Sequence, residues 1–352
     1  MLDSVMLQRG VMVVLLVIAS WWLTGRVRRY ALQKQMLDVP NARSSHSAPT
    51  PRGGGLAIVV SFLVAVLVMA ATGLIAGDVA VALIGGGGGT ALIGFMDDRK
   101  HVPARWRLLA HFGAALWALA WLFPWSGTLD SALWRMPLLA AALLFGAVWM
   151  LNLYNFMDGI DGIAASEAVT VSLGGGVLLW MCGAPGMALM ALCLAGASLG
   201  FLVWNFPPAK IFMGDAGSGF LGFIFACFAI GSLQLGPHVL AGWCVLLAAF
   251  ASDASVTLLR RLLRGERVWE AHRSHAYQRL SRYFGAHRPV TLGFAAINVV
   301  WLVPLALMAG LQLMPAWLAL AAAYLPLCLL AWRLGAGLPD DVAIRGFTSK
   351  SL

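Results

Sequence analysis

"LLAAALLFGAVWMLNLYNFMDGIDGIA", residues 138–164, is apolar for half its length and then breaks into polar residues. Asn152, Asn155, Asp158 and Asp161 crowd the break, and a second apolar run follows at once. Charge is scarce elsewhere: Asp, Glu, Lys and Arg make up 11% of the 352 residues, while 61% are hydrophobic. A soluble domain is typically about 45–50% apolar and about 25% charged, and it could not hide this much apolar surface. The stretch therefore reads as two membrane-crossing helices joined at a polar mouth, with lipid as the solvent for most of the chain.

Apolar runs of about 17–25 residues, the length that crosses a bilayer, occur eleven times. They lie near 8–25, 54–76, 79–96, 107–123, 134–152, 162–182, 186–204, 216–235, 238–259, 290–310 and 313–333. The expected fold is an all-α polytopic bundle forming one integral membrane domain over 1–352, with the N-terminus outside and the C-terminus cytoplasmic. The run at 79–96 carries Gly85 to Gly89 in a row. In lipid, small residues let helices approach closely, so this run is read as a packing face, one that also suits a homodimer contact. The first run is followed by Arg26, Arg28 and Arg29 with no small-residue cleavage site, and reads as a retained anchor. Cys182, Cys193, Cys227, Cys244 and Cys328 are scattered through apolar spans without metal spacing, as small hydrophobes would be.

A net charge of +9 raises the question of nucleic acid. Its distribution answers against it. With the N-terminus outside, connections 26–53, 97–106, 153–161, 205–215 and 260–289 and the tail from about 333 are cytoplasmic. Of the 24 Lys and Arg, only Arg9 and Arg135 then fall outside. That is the positive-inside pattern; the basic excess sets orientation and favours anionic lipid and substrate. The expected place is a membrane, with the working face toward the cytoplasm.

The same inner connections hold the chemistry. Five clusters sit at span ends: "DVPNARSSHSAPTPRGGG" (38–55), "FMDDRKHVPARWR" (95–107), "NLYNFMDGIDG" (152–162), "WNFPPAKIFMGDAGSG" (204–219) and "EAHRSHAYQRL" (270–280). Outer connections offer only Asp3, Asp78 and Asp130, isolated and read as solvated surface. Each inner cluster alone has a bland reading as a cap, a turn or a basic loop. Ionisable groups near membrane depth are expensive and mark function by default, and five on one side outweigh the bland readings together.

Asp97, Asp98, Asp158, Asp161 and Asp215 would repel one another if they converged without a cation. Magnesium prefers oxygen ligands and is typically held by one or two carboxylates plus substrate phosphates; no His/Cys group of the kind zinc prefers is present. Arg264, Arg267, Arg273 and Arg279 accompany His272 and His275 in the last large inner connection, and Arg grips phosphate through paired hydrogen bonds. His275 and Arg279, four apart, share a helix face. Carboxylates, Mg²⁺ and an Arg/His loop suit phosphoryl transfer on a diphosphate, where catalysis is mainly positioning and charge neutralisation. No GxxxxGK[ST] motif occurs, which excludes the usual P-loop route to ATP hydrolysis. A proton-coupled transporter is the alternative of another class, but its carboxylates belong near the bilayer middle, and no span-scale internal repeat supports it.

"DVPNARSSHSAPTPRGGGLAI", "GFMDDR", "NLYNFMDGIDGIA", "NFPPAKIFMGDAGSGFLG" and "HRSHAYQRL" resemble, in order and at span ends, the polyprenyl-phosphate N-acetylhexosamine-1-phosphate transferases. The likeness runs from about 38 to 280 and is nearest the bacterial branch that starts O-antigen and related envelope glycans. The branch making the peptidoglycan lipid precursor has three His where this chain has His272-Arg-Ser-His275. The resemblance implies transfer of a sugar 1-phosphate from a UDP-N-acetylhexosamine to undecaprenyl phosphate with release of UMP. It implies Mg²⁺, with Mn²⁺ as a substitute, on Asp215 and Asn155. It implies uracil stacking on Phe212, uracil hydrogen bonds to Asp161 and Asn205, and Asp158 in the wall of the nucleotide-sugar site. Asp97 and Asp98 are expected to orient the lipid phosphate, and His272, His275 and Arg279 to contact phosphate and sugar. Which of Arg99, Lys100, Arg105 and Arg107 touches phosphate stays open.

Overall fold

The computed structural model describes residues 2–40, 48–100, 102–123, 135–268 and 272–339. The middle of the first polar cluster (41–47), His101, the connection 124–134 with Asp130, the segment 269–271 with Glu270 and the chain end from 340 lie outside the described residues.

Every one of the eleven apolar runs forms helix. In chain order these are α1 Leu2–Gln33, α2 Leu56–Ala71, α3 Gly77–Arg99, α4 Ala104–Leu122, α5 Arg135–Met157, α6 Ile163–Met181, α7 Pro185–Asn205 and α8 Asp215–Gly231, which ends in a 3₁₀ turn. The bent pair α9 Pro237–Leu246 and α10 Ala248–Leu263 follows, then the short α11 Ala276–Phe284. The chain closes with α12 Arg288–Ile297, running through a π turn into α13 Val303–Gly310, and α14 Ala316–Arg333. The protein is an all-α polytopic membrane protein. A two-residue antiparallel bridge, Leu37–Asp38 (β1) with Thr50–Pro51 (β2), is the one sheet among the described residues.

By length and hydropathy, eight helices among the described residues are able to cross a membrane, or nine if the pair α9–α10, bent by 69°, is one span. Eleven crossings need α2 and α4 as well. With 16 residues, α2 reaches about 24 Å against a hydrocarbon core of about 30 Å. α4 carries Arg105, Arg107 and His111 in its first half. The sequence pattern found the helices; it did not separate a short or half-polar helix from a full crossing.

α8 is the axis of the bundle, with fifteen of its 17 residues buried. α3 and α5 lie along it. The glycine run of α3 explains the closeness. A β-carbon on Gly86 would strike Phe223, one on Gly87 would come 2.9 Å from Phe220, and one on Gly85 would meet the Trp117 indole of α4. Three of the five glycines are thus a packing face inside one chain, while Gly88 and Gly89 face open space. The tight approach sets the height of α3 against α8, so the C-terminal end of α3 meets the first turn of α8.

Candidate active site

That meeting places Asp97 and Asp98 beside Asp215. At Gly94 an added β-carbon would lie 2.5 Å from the Asp215 carbonyl, so only glycine fits. Gly214, with φ +79°, turns the chain into α8 and packs directly on the Asp98 carboxylate. Asp98 Oδ1 accepts the backbone N–H of Asp215 (3.1 Å) and Oδ2 that of Ala216 (3.2 Å). A carboxylate against the positive end of a 17-residue helix is favourably placed. Arg52 hydrogen-bonds the Asp98 carbonyl, and its Nε lies 3.9 Å from Oδ1.

Asp98 is thus 5% exposed, with both oxygens engaged by backbone. The resemblance has it orient the lipid phosphate; the structure places both of its oxygens on the backbone N–H groups that open α8, beside Asp215. Asp97 is placed differently. Its Oδ1 accepts the Val102 N–H (2.6 Å), and its Oδ2 meets Arg107 Nη1 at 2.5 Å. The same Arg107 Nη1 reaches Asp215 Oδ2 at 3.2 Å. Asn155, at the end of α5, donates its amide to Asp215 Oδ1 (2.9 Å) and to Ser218 Oγ (3.0 Å).

Asp158 stands on the α5–α6 connection within the field of Asp215, Asp98 and Asp161. Burial first, then these three negative charges, push its carboxyl well above the usual carboxylate range. The sign for stability follows. The folded chain holds a proton that the unfolded chain has released, so stability is greatest below the unfolded value of about 3.9 and falls as pH rises toward the raised folded value. In metal-free buffer, melting temperature should therefore fall from pH 5 upward, and Asp158→Asn should flatten that slope. An unchanged slope in the variant would remove Asp158 from the cluster.

Among the described residues, no three His, Cys, Asp or Glu side chains form a ready-made metal cage. The donors nonetheless fit a hard divalent cation. Asp215 and Asn155 supply oxygens on one point once the Asn155 amide makes a half-turn, which exchanges nitrogen for oxygen. The Asp97–Asp215 gap already holds a positive group.

The second half of the site is a cleft of about 700 Å³ lined by Thr50, Asp161, Phe212, Arg282, His287 and Arg288 among others. Two backbone hydrogen bonds hold the segment carrying Phe212: Phe212 N–H donates to the Pro51 carbonyl (2.8 Å), and Gly54 N–H donates to the Phe212 carbonyl (2.9 Å). That is the work of "PRGGG". Asp161 Oδ2 accepts the Ala209 N–H (2.9 Å), and Oδ1 lies 3.2 Å from His287 Nδ1. Phe212 and Asp161 thus share one cleft. Asn205 does not: it is buried, its Oδ1 accepts the Gly162 N–H (3.0 Å) and its Nδ2 donates to the Ile211 carbonyl (2.9 Å). Its amide ties the Gly162 turn to the segment of Ile211.

Two more of the expected contacts, Arg279 and His275, lie inside the protein. Arg279 is buried and spends its guanidinium on the carbonyls of Leu334, Leu338 and Pro339, which fastens the end of α14. His275 is 2% exposed, stacked on His272 with ring centres 4.8 Å apart and lying 3.4 Å from Asp253. Asp253 also accepts the N–H groups of Ala276 and Tyr277 (both 2.9 Å), so it caps α11. Burial, then the positive field of His275 and Arg261, lowers the His272 imidazole to about 3, so it is neutral near pH 7. Through Tyr277, whose hydroxyl donates to the Phe156 carbonyl (2.9 Å), this loop braces the connection that carries Asp158 and Asp161. His287, Arg288 and Arg282 lie past the basic cluster of 270–280 and line the cleft as well. The signal was "FGAHRP" (284–289): a glycine helix stop, then His and Arg at the same rim.

A sequence model of glycosyl transferase family 4 matches residues 80–233, the part that carries Asp97 through Asp215. The chain is 27% identical over 322 residues to a probable undecaprenyl-phosphate N-acetylglucosaminyl 1-phosphate transferase of Bacillus subtilis, covering 86% of this chain and 85% of that one. It is 31% identical over 323 residues to decaprenyl-phosphate N-acetylglucosaminephosphotransferase of Mycobacterium tuberculosis, covering 78% and 76%. It is 36% identical over 202 residues to a phospho-N-acetylmuramoyl-pentapeptide-transferase of Moorella thermoacetica, covering 52% and 61%. With its motifs converging at one end of the bundle and likeness spanning most of its length, the chain belongs to glycosyl transferase family 4, among the polyprenyl-phosphate N-acetylhexosamine-1-phosphate transferases.

Proposed function

We propose that the protein transfers an N-acetylhexosamine 1-phosphate from a UDP-sugar to undecaprenyl phosphate at the inner face of the bacterial inner membrane. A lipid phosphate oxygen attacks the sugar-linked phosphorus, the bond to UMP breaks, and UMP leaves. The product would begin O-antigen, lipopolysaccharide or a related envelope glycan. The observation that carries this reading is the join of two half-sites on one short connection: Asp158 among carboxylates suited to a diphosphate and its cation, and Asp161 in a cleft with Phe212. The names of the relatives add a polyprenyl phosphate acceptor and an N-acetylhexosamine group.

Each residue then has a task. Asp215 and Asn155 would hold Mg²⁺, or Mn²⁺ in its place, and the cation supplies charge neutralisation to two phosphates that must approach. Asp98 fixes Asp215 at the head of α8. Phe212 offers the uracil a face, and Asp161 offers its edge an acceptor. His287, Arg288 and Arg282 line the cleft where the anionic donor enters.

The deciding assay offers UDP-linked N-acetylglucosamine, N-acetylfucosamine, N-acetylquinovosamine and N-acetylgalactosamine to purified protein with undecaprenyl phosphate. UMP should appear only when both substrates are present, and GDP- or ADP-sugars should be refused. UMP release independent of the lipid would overturn the reading. Phe212→Ala should raise the donor KM by about 5- to 150-fold, the span of roughly 1–3 kcal/mol of base stacking, with a smaller change in kcat. A cysteine beside His287 should react with an impermeant thiol reagent in inside-out vesicles and not from the periplasmic face of intact cells.

A further inference from the structure

We infer that Arg107 is an exchangeable counter-ion: its guanidinium fills the gap between Asp97 and Asp215 until a divalent cation binds, and then swings out. This rests on the proposed cation site of Asp215 and Asn155. It assigns to Arg107 a task that its position in the motif does not reveal.

The geometry is that of a bridge made by one nitrogen. Arg107 Nη1 meets both Asp97 Oδ2 (2.5 Å) and Asp215 Oδ2 (3.2 Å). A guanidinium has five N–H groups in a fixed fork and grips a carboxylate best with two in parallel. Here one nitrogen serves two carboxylates, and the buried Nε of Arg107 has no hydrogen-bond partner. A permanent structural arginine is expected to be satisfied, as Arg279 is by three backbone carbonyls.

Charge points the same way. Asp98 takes its compensation from the head of α8 and from Arg52. Asp97 and Asp215 take theirs from Arg107, on the first turn of α4. A cation on Asp215 would replace that compensation and repel the guanidinium at close range. The exit is open, since the Arg107 side chain is 31% exposed and that of Asp215 34%. Arg105, two residues earlier, is a natural comparison: its guanidinium lies over the Trp106 ring at 5.6 Å.

Two readouts test this without measuring transfer. First, arginine-specific modification by phenylglyoxal is mapped by mass spectrometry on the unaltered protein in detergent, with and without Mn²⁺. Arg107 should become several-fold more reactive when Mn²⁺ is added, Arg105 should not change, and in Asp215→Asn the Mn²⁺ effect should vanish. Second, Mn²⁺ binding followed by electron paramagnetic resonance should be up to about fivefold tighter in Arg107→Gln, the release of a partly exposed ion pair, and unchanged in Arg105→Gln. If Mn²⁺ binds in an Asp215-dependent way while Arg107 reactivity stays level or falls, the exchange is wrong and the cation site stands. If no Asp215-dependent binding occurs, both fall. Should Arg107→Gln fail to fold, the modification experiment on the unaltered chain still decides.

Discussion

Asp215→Asn should lower turnover by more than about 100-fold, beyond what loss of a mere supporting partner of a metal ligand costs, and the bundle should stay folded. The reasoning starts from what Asp215 does not hold up. Its carboxylate is one-third exposed and meets Arg107, the Asn155 amide and the neighbouring Asp97 carboxyl, all of them side chains of the site itself. Its backbone N–H, which anchors α8 to Asp98, is untouched by the change. Asn keeps one oxygen and the side-chain size, but loses the charge that would bind a hard cation. Chelation with EDTA should reproduce the loss in the unaltered protein, and Mg²⁺ or Mn²⁺ should restore it there and not in the variant. Melting temperature and monodispersity of the variant, measured beside turnover, separate lost chemistry from lost fold. Full turnover of Asp215→Asn, or of a thoroughly chelated sample, would end the metal reading.

Much of this site was legible in the sequence because apolar spans fix where polar residues can go. Asn155 and Asp215 are 60 residues apart, yet each lies at a helix end on the same side, and their side chains meet at 2.9 Å. Asp161 and Phe212 share a cleft for the same reason. What could not be read was how each polar side chain is spent. Asn205 facing uracil and Asn205 stitching Gly162 to Ile211 look alike as letters, since both need a donor and an acceptor. Arg279 suits phosphate oxygens and backbone carbonyls equally well. The motif pair Asp97-Asp98 hides the largest difference. Neighbours on a helix point about 100° apart, so one carboxylate faces Arg107 while the other turns under the head of α8. The span count turns on two helices: hydropathy registers α2 and α4 as apolar, but 16 residues in one case and two arginines and a histidine in the other set them apart from the eight long apolar helices.

That difference between neighbours yields the second large effect. Asp98→Asn should damage the fold and the activity together, while Asp97→Asn should spare the fold. Each Asp98 oxygen accepts one N–H, from Asp215 and from Ala216. Asparagine presents one oxygen and one NH₂, so one backbone N–H would face another donor. Rotation offers no escape, because Gly214 packs so closely on the carboxylate that its own β-carbon would lie 2.6 Å from Oδ2. The loss combines a charge-assisted hydrogen bond with a buried unpaired donor, roughly 2–3 kcal/mol, and it falls on the first turn of the helix that carries Asp215. Melting temperature should drop for Asp98→Asn, Mn²⁺ affinity should fall with it, and turnover should fall by about 100-fold or more, since a misplacement near 1 Å can cost that much. Asp98→Glu should not rescue, because the longer side chain has no room beside Gly214. In Asp97→Asn the carboxylate lost is the one that holds Arg107 and the Val102 N–H, so melting should change little while Arg107 is loosened. If instead the two variants behave alike, stable and equally slow, the two carboxylates share one task in the reaction, and the place of Asp98 under α8 is incidental.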